Sequence, residues 1–338
     1  MNGPRTRRAR PRGRHPDSPS ARGPGSRSNG STGAAGRAQP RGATMERAHV
    51  GFIGLGIMGR PMAGHILKAG FPLTVFNRTR RRTKELSSAG ARVADSPAAL
   101  ASESEIVITM VSDSPDVEQV VAGAGGVLEG IRPGSVVVDM STISPAVACR
   151  LDARLRKLRC ALVDAPVSGG DVGAREATLA IMAGGDREAV ERVRPVLETM
   201  GRSVTYCGPA GSGQLTKLCN QILVSVTLLG VSEAIALARR AGLDPRAMIG
   251  AVAPGAAGSW QLENLGPRIL ERDFAPGFTI DLMQKDLRLV LEAAAESGAA
   301  LPATALVHQL FRSAQSSGDG GRGTQALARV LERLAALG

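Results

Sequence analysis

The 338-residue sequence lacks the residue patterns that build metal centres, disulfide frameworks and membrane spans. Its four cysteines show no C-x-x-C spacing, which argues against zinc and disulfides and predicts that no metal is bound. No run of 18 uncharged apolar residues occurs, and the N-terminus has no apolar stretch of the secretory kind. The chain is therefore expected to be a soluble cytoplasmic protein without a membrane partner.

Residues 1–44 lack lysine and contain a single acid, Asp17, but they hold ten arginines among Pro, Gly and Ser. This segment carries +9 of the formal charge of +12, so the remainder resembles an ordinary soluble enzyme. With almost nothing apolar to bury, it is predicted to be a disordered extension. Three interpretations remain open: translation from a start upstream of Met45, a basic arm that touches nucleic acid or an anionic surface, and an organellar transit peptide. Nucleic acid is expected as a partner only through this segment.

Glycine is abundant, and after residue 48 several glycines follow a defined spacing. The stretch "HVGFIGLGIMGRPMAGHILKAG" has the pattern of a strand, a turn and a helix, with Gly54, Gly56 and Gly59 in the G-x-G-x-x-G spacing. Such glycines allow a tight turn, close approach of a pyrophosphate and close helix packing. The pattern predicts a dinucleotide-binding loop made of Gly54, Leu55, Gly56, Ile57, Met58 and Gly59.

The second predicted strand, "PLTVFNRT", ends where dinucleotide-binding proteins read the ribose. NAD-binding versions carry Asp or Glu there, whereas this chain has Asn77, Arg78 and Thr79. A neutral residue removes repulsion against a 2′-phosphate, and a guanidinium can grip that phosphate. The alternative is that Arg78 belongs to the solvated first turn of a helix. The pattern favours NADP, with NADPH preferred and NAD as the alternative cofactor.

Strands and helices continue to alternate, which predicts an α/β fold with a Rossmann-type doubly wound parallel sheet. Further strands are predicted at 105–111, 135–142 and 160–170. Ligands in this architecture bind beyond the carboxyl ends of the strands. One crevice is therefore expected to gather Met110, Val111, Ser141, Thr142, Ser168, Gly169 and Gly170. Two simpler interpretations stay open: "STISP" as a helix cap and "SGG" as a plain turn.

A lysine lies at the start of the longest helical pattern, which continues for about 27 residues without proline. Lys217 shares a helix face with Asn220 and Gln221. One interpretation is a solvated lysine. The other follows by elimination, because reducing a carbonyl needs a proton donor, and none of the four histidines follows a strand that ends at the crevice. Since desolvation lowers the pKa of a lysine, Lys217 is predicted to be that donor.

Four motifs in this order resemble the β-hydroxyacid dehydrogenase family, which includes 3-hydroxyisobutyrate dehydrogenases and tartronate semialdehyde (2-hydroxy-3-oxopropionate) reductases. They are "GFIGLGIMGRPMA", "DAPVSGG", "GSGQLTKLCNQ" and "FTIDLMQKDLRLVLEAA". The resemblance implies that Lys217 is the catalytic lysine and that Asn220 positions the substrate beside it. It also implies that Ser168, Gly169 and Gly170 hold the substrate carboxylate and hydroxyl.

The resemblance assigns cofactor contacts as well. Thr142 and the strand end Met110-Val111 match contacts on the nicotinamide side, with Thr142 also beside the substrate. Lys285 matches a lysine near the cofactor, and its neighbour Asp286 supports the site. The family pattern implies a homodimer or homotetramer and three segments: a disordered extension (1–44), an NADP-binding Rossmann domain (45–210) and an all-helical substrate and oligomerisation domain (211–338).

Within the family, the stretch from Gly255 to Leu287 is closer to the tartronate semialdehyde reductase pattern. The resemblance therefore implies hydride transfer between NADP(H) and a small hydroxy acid or semialdehyde, with a 3-hydroxy/3-oxo acid of this type as the favoured substrate. The alternative substrate is 3-hydroxyisobutyrate. A 6-phosphogluconate-type dehydrogenase would need cations for the substrate phosphate, for which only Arg268 and Arg272 are candidates. A non-catalytic dinucleotide-binding protein is a further alternative.

Overall fold

The computed structural model describes residues 47–337, so the predicted extension (1–44) lies outside the described residues. The strands are β1 (Val50–Ile53), β2 (Leu73–Phe76), β3 (Arg92–Val93), β4 (Ile106–Thr109), β5 (Val136–Asp139), β6 (Ala161–Asp164), β7 (Val167–Ser168), β8 (Leu179–Gly185) and β9 (Gly201–Gly208). The helices that alternate with them are α1 (Gly59–Lys68), α2 (Lys84–Ser88), α3 (Pro97–Glu103), α4 (Ser114–Ala122), α5 (Val127–Gly130), α6 (Pro145–Lys157), α7 (Gly170–Glu176) and α8 (Arg187–Leu197). The helices that follow are α9 (Ser212–Arg240), α10 (Pro245–Val252), α11 (Gly266–Leu270), α12 (Ile280–Ser297), α13 (Pro302–Ala314) and α14 (Ala328–Leu334).

Six strands pair in parallel in the order β3-β2-β1-β4-β5-β6. This is the strand order of the doubly wound dinucleotide-binding fold, and it confirms the fold class expected from the sequence. The winding direction changes between β1 and β4, so ligands are expected beyond the carboxyl ends of these two strands.

The far edge of the sheet differs from the sequence prediction. Residues 160–170 were expected to form one strand, but β6 ends at Asp164 and the chain turns before β7. Pro166 in this turn has no N–H group to donate to a parallel ladder. After the turn β7 pairs antiparallel with β8, which also runs antiparallel to β6, and β9 extends the edge in parallel with β8.

Helices cover both faces of the sheet because alternate strand residues point to opposite sides. In β4, Ile106 and Ile108 pack into a core with Met62 and Ile66 of α1. Val107 between them packs into a second core on the other face, formed with α3, α4, α5 and α6. The strands are thus buried on both faces, which explains their continuous apolar sequences.

A third core lies among the helices from α9 onwards. Leu228 and Ile235 of α9 pack there with Met283 and Leu287 of α12 and Phe311 of α13. By length and composition alone α9 could cross a membrane, yet 44% of its most apolar 18-residue window is buried inside the protein. Its buried side chains form part of this third core, so the apolar composition of α9 does not by itself indicate a membrane span.

Helix starts follow local capping signals in the sequence. The Ser96 hydroxyl accepts the Ala99 N–H at the start of α3, and Thr279 does the same for Leu282 at the start of α12. The start of α9 is different, because its N-cap residue Gly211 (φ +89°) offers no side chain. The capping groups for this helix come from the sheet.

Candidate active site

The glycine loop between β1 and α1 has the geometry that a dinucleotide requires. A Cβ atom at Gly54 (φ +100°) would collide with the Met110 carbonyl oxygen, and one at Gly59 would collide with the Gly54 carbonyl oxygen. A Cβ atom at Gly56 would meet no atom within 4 Å. The first and third glycines are therefore required by packing, whereas the second leaves open space beside the backbone. This is the surface that the pyrophosphate of a dinucleotide approaches, so the loop fits the cofactor.

Asn77 at the end of β2 holds this loop in place. Its Oδ1 accepts the Leu55 N–H at 2.8 Å, and its Nδ2 donates to the Thr79 carbonyl at 3.0 Å. Arg78 is exposed and forms no ion pair within residues 47–337, whereas Arg80 pairs with Asp95 at 2.6 Å. The Arg78 guanidinium is thus free to meet an anionic ligand, while the Asn77 amide is already engaged.

The predicted cofactor-side strand ends are joined by side-chain hydrogen bonds. The Val111 N–H donates to Ser141 Oγ at 2.9 Å, and Thr109 Oγ1 donates to Asp139 Oδ1 at 2.7 Å. Burial raises the pKa of Asp139 to about 6. Ser141 therefore fixes the neighbouring strand end and does not cap α6, whose N-cap Ser144 makes no side-chain capping bond either.

Lys217 is buried in the second turn of α9, only 8% exposed. Burial lowers the pKa of this lysine to about 8, while the nearby Asp286 carboxylate raises it and the Lys285 ammonium lowers it further. Desolvation is the largest of these effects, because a low-dielectric environment disfavours the charged form. The interpretation of Lys217 as a solvated surface residue is therefore wrong.

Asp286 is the centre of a polar cluster that includes Lys217. Gln221 Nε2 donates to Asp286 Oδ2 at 2.6 Å, and Asn220 Nδ2 donates to Gln221 Oε1 at 2.8 Å. Lys285 Nζ lies 2.8 Å from Asp286 Oδ1, although no aligned hydrogen bond satisfies that oxygen within the described chain. The cluster links neighbouring residues of α9 to α12, and it buries the Asp286 carboxylate against the Lys285 ammonium.

Lys285 extends the cluster to the sheet. Its Nζ donates to the Thr142 carbonyl at 2.7 Å, so the loop after β5 is tied directly to α12. Since α9 also packs against α12, β6, β7 and β8, the structure brings the predicted residues Thr142, Lys217, Asn220 and Lys285 together.

The segment from Ser168 to Gly170 joins β7 to α7. Ser168 pairs with Ala180 of β8, and Gly169 (φ +131°) and Gly170 (φ +62°) adopt backbone conformations that favour glycine. The segment is partly exposed, with its backbone unencumbered by side chains at the two glycines. It is a glycine turn with accessible polar groups, which suits a bound carboxylate.

The histidines have other roles in the described part of the chain. The His65 ring lies 3.1 Å and 3.0 Å from the carbonyl oxygens of Ala174 and Arg175, so it connects α1 to α7. His49 contacts Thr74 Oγ1 at 2.9 Å, and burial lowers its pKa. Among residues 47–337 no group of three or more His, Cys, Asp or Glu side chains could hold a metal ion.

A cavity of about 590 Å³ lies between α12 and α13, away from the glycine loop. It is lined by Lys285, Arg288 and Glu292 of α12 and by His308 and Arg312 of α13. Arg288 pairs with Asp113 at 2.7 Å and with Glu292 at 2.8 Å, so much of the charge in this cavity is already neutralised. We therefore centre the chemistry on Lys217 and Asp286.

Sequence reasoning missed three residues that build the site: Asp164, Gln214 and Gln221. Both oxygens of Asp164 accept backbone N–H groups of the start of α9, from Gly211 and Gln214, at 2.8 Å. Gln221 was recognised only as sharing a face with Lys217. The available signal was a carboxylate at the end of a buried strand, directly before "APVSGG".

A doubly wound sheet with an open glycine loop and a buried lysine beyond its strand ends defines an oxidoreductase that uses a nicotinamide dinucleotide. Residues 49–208 match the family model for the NAD binding domain of 6-phosphogluconate dehydrogenase. Residues 211–331 match the model described as NAD-binding of NADP-dependent 3-hydroxyisobutyrate dehydrogenase. The chain belongs to the β-hydroxyacid dehydrogenase family and is an NAD(P)-dependent enzyme acting on CH–OH groups.

Three proteins that are similar to this chain illustrate the activities of its relatives. It is 42% identical to 2-hydroxy-3-oxopropionate reductase of Escherichia coli (strain K12), covering 85% of this chain and 98% of the relative. It is 40% identical to an NAD-dependent L-serine dehydrogenase of Pseudomonas aeruginosa, covering 78% and 91%. A solved structure of 3-hydroxyisobutyrate dehydrogenase from Mycobacterium tuberculosis with L-serine superposes with a TM-score of 0.79 at 31% identity, covering 84% and 99%.

Proposed function

We propose that this enzyme transfers hydride between NADP(H) and a short 3-hydroxy/3-oxo carboxylic acid, with tartronate semialdehyde as the favoured substrate. The proposal rests above all on Lys217, a buried lysine whose pKa is lowered to about 8 beside Asp286. The similarity to the reductase from E. coli supports this substrate. The similarity to the M. tuberculosis structure supports 3-hydroxyisobutyrate as the second candidate.

Lys217 acts as the general acid in the direction of reduction. A bound nicotinamide dinucleotide supplies the hydride for the carbonyl carbon. The Lys217 ammonium donates a proton to the carbonyl oxygen as negative charge develops there. A lysine with its usual pKa is a weak acid near neutral pH. Burial lowers the pKa of Lys217 and makes it a better proton donor. In oxidation the neutral amine takes the proton back.

The remaining predicted residues hold and orient the ligands. Ser168 and the backbone N–H groups of Gly169 and Gly170 bind the substrate carboxylate, and Asn220 orients the substrate beside Lys217. Fixed donors of this kind set the distance and angle of reaction, which accounts for a large part of enzymatic rate enhancement. Gln221 supports Asn220 through the hydrogen bond between their amides.

The cofactor is held by the glycine loop, the strand ends and the residues after β2. The backbone near Gly56 would receive the pyrophosphate, and Met110, Val111 and Thr142 would lie on the nicotinamide side. Lys285 lies between Thr142 and Asp286. The free guanidinium of Arg78 supports a preference for NADP, because it can pair with a 2′-phosphate.

A 6-phosphogluconate-type activity has less support. The two arginines that could bind a substrate phosphate are both engaged, Arg268 with Asp273 at 2.8 Å and Arg272 with Glu332 at 2.5 Å. Each guanidinium would have to exchange its carboxylate partner for the phosphate, which reduces the net gain. We therefore favour a substrate whose only anionic group is its carboxylate.

Self-association through α9 is also part of the proposal. Leu223 and Leu237 on this helix are 69% and 70% exposed, and Leu215 near its start is also exposed. Exposed leucines along one long helix are typical of a surface that another protein chain covers. We propose a homodimer or homotetramer, which analytical ultracentrifugation of the full chain would test.

The substrate class is tested by assaying the full chain on tartronate semialdehyde, 3-hydroxyisobutyrate, L-serine and 6-phosphogluconate with both nicotinamide cofactors. We expect the highest kcat/KM for tartronate semialdehyde with NADPH. A higher value for 3-hydroxyisobutyrate would establish the second candidate. Activity only on 6-phosphogluconate would refute the proposal.

The pH dependence should be opposite for the two directions of the reaction. Reduction requires protonated Lys217, so kcat/KM should be level below about pH 8 and fall about tenfold per pH unit above it. Oxidation requires neutral Lys217, so its kcat/KM should rise up to about pH 8 and level off above. Initial rates in both directions between pH 6 and about pH 10 would measure this. Parallel profiles would contradict the assignment of Lys217.

Replacing Arg78 by alanine should weaken NADPH selectively. Losing one charge-assisted contact to a phosphate is expected to raise KM for NADPH by about 10-fold to 100-fold. KM for NADH should change less than about threefold, because NADH lacks that phosphate. Arg80→Ala is the matched control, since Arg80 is already paired with Asp95. Equal losses for both cofactors in the Arg78 variant would show that Arg78 does not read the phosphate.

A further inference from the structure

The helix that carries Lys217 begins without a capping side chain of its own. Gly211 precedes Ser212, and the first turn of α9 contains no acidic residue. The first N–H groups of a helix have no intrahelical partner and together carry a partial positive charge. In this protein the N-cap Gly211 N–H and the Gln214 N–H donate to Asp164 of β6, which is distant in sequence and has no exposed surface.

Asp164 binds the start of α9 through both carboxylate oxygens. Oδ1 accepts the Gly211 N–H and Oδ2 accepts the Gln214 N–H, each at 2.8 Å. Because both oxygens are engaged by the backbone, Asp164 has the geometry of an anchor for the helix. Burial raises the pKa of Asp164 to about 6, so the helix N–H groups hold a carboxylate that its surroundings would otherwise disfavour.

Two glycines let the helix sit directly on the sheet at this point. A Cβ atom at Gly213 would collide with the carbonyl oxygens of Asp164 and Met182. A Cβ atom at Gly184 would lie 2.6 Å from the Gly213 N atom, which is also too close. Because the backbones of α9 and the strands are in close contact here, the anchor holds the helix start in one position.

Gln214 transmits this position to the cofactor side of the site. Its Nε2 donates to the Ser141 carbonyl at 2.8 Å, and its Oε1 accepts the Ile143 N–H at 3.0 Å. These two bonds bracket Thr142, whose carbonyl accepts the Lys285 ammonium. Lys217 follows Gln214 by three residues, which is less than one helical turn. Asp164 and Gln214 therefore connect Lys217 and Thr142 through fixed hydrogen bonds.

We propose that Asp164 is a positioning residue that, through the first turn of α9 and Gln214, sets Lys217 at its working distance from the cofactor-side strand end. This rests on the proposed function of Lys217. Asp164 acts on the reaction only through the helix. Misplacement of a catalytic group by about 1 Å can lower a rate about 100-fold, so a small shift of the helix start is sufficient to impair turnover.

The other end of α9 supplies a matched control. Glu332 of α14 is a buried carboxylate that pairs with Arg239 in the last turn of α9 at 2.5 Å and with Arg272. Glu332→Gln and Asp164→Asn both replace one buried carboxylate with its isosteric amide, and both weaken the attachment of the same helix. Only Asp164 is next to the turn that carries Lys217.

The test measures the full-length wild type, Asp164→Asn, Glu332→Gln and Lys217→Ala together. For Asp164→Asn we expect kcat to fall about 10-fold to 100-fold, with KM for NADPH changed less than about threefold. The deuterium isotope effect with NADPH labelled at C4 should increase, because chemistry becomes more strongly rate-limiting. Glu332→Gln should keep kcat within about threefold of wild type, even where thermal unfolding shows an equal loss of stability.

The outcomes distinguish a failure of the positioning role of Asp164 from a failure of the proposed catalytic role of Lys217. If Asp164→Asn turns over within twofold of wild type while Lys217→Ala is inactive, the positioning role is refuted and the catalytic role of Lys217 stands. If Asp164→Asn and Glu332→Gln lose kcat in proportion to their loss of stability, the effect is structural and the positioning role is again refuted. If Lys217→Ala is as active as wild type, the proposed function itself fails.

A second variant covers the case in which Asp164→Asn does not fold. Gln214→Met keeps the Asp164 anchor and the side-chain length but removes both hydrogen bonds to the Thr142 turn. We expect it to lower kcat about 10-fold with the same increase in isotope effect. A kcat within twofold of wild type in this variant would overturn the proposal.

Discussion

Replacing Lys217 by alanine is expected to lower kcat at least about 100-fold, with the affinity for NADPH changed less than about threefold. The reason is that the variant removes the proton donor but leaves the glycine loop and strand ends intact. Steady-state kinetics and a fluorescence titration with NADPH would measure the two effects separately. A variant that turns over at a near-normal rate would remove the basis of the proposed mechanism.

A substitution that keeps the positive charge separates proton transfer from electrostatic stabilisation, and a surface lysine serves as its control. Lys217→Arg keeps a positive charge, but a guanidinium does not give up its proton near neutral pH, so activity should stay low. Lys84→Ala removes an exposed lysine of α2 and should leave kcat unchanged. Full activity of Lys217→Arg would mean that Lys217 contributes only electrostatic stabilisation.

Replacing Gly56 by valine should give a folded protein that no longer binds the cofactor well. A Cβ atom at this position meets no protein atom within 4 Å, so thermal stability should stay close to wild type. The same side chain would obstruct the approach of the pyrophosphate to the loop. Losing two charge-assisted hydrogen bonds to phosphate corresponds to an increase in Kd for NADPH of about 100-fold.

Gly54→Val provides the contrasting result for the same loop. Here the new side chain would collide with the Met110 carbonyl, and valine would be strained at φ +100°. We expect this variant to be strongly destabilised, as judged by thermal unfolding, before cofactor binding is measured at all. Wild-type NADPH affinity in Gly56→Val would contradict the assignment of this backbone to the pyrophosphate.

The fold could be predicted because its signals are local. Buried parallel strands give short continuous apolar stretches, and the glycine spacing at 54, 56 and 59 marks the turn that starts α1. The sequence patterns do not mark the edge strands β8 and β9, and they predict a single strand at 160–170. Their pairing depends on where the chain turns after Asp164, which is a tertiary outcome that no short stretch of sequence contains.

The candidate site could be predicted only in part, for a related reason. Lys217 was found by its position in the long helix and by the absence of a suitable histidine. Its partner Asp286 came only from the family resemblance, and the Gln221 and Asp164 contacts were not found. These contacts join residues 47 to 65 positions apart in the sequence, so spacing rules for a single helix or strand could not detect them.

The amide of Asn77 limits how the nucleotide selectivity of this enzyme can change. The residue stands at the position where related folds discriminate between the two nicotinamide cofactors, yet its oxygen secures the Leu55 amide of the neighbouring loop. An exchange at residue 77 would therefore disturb the loop that binds the pyrophosphate, and both cofactors contain that group. Evolution or engineering could shift the preference more cleanly at Arg78 or Thr79, whose side chains are exposed.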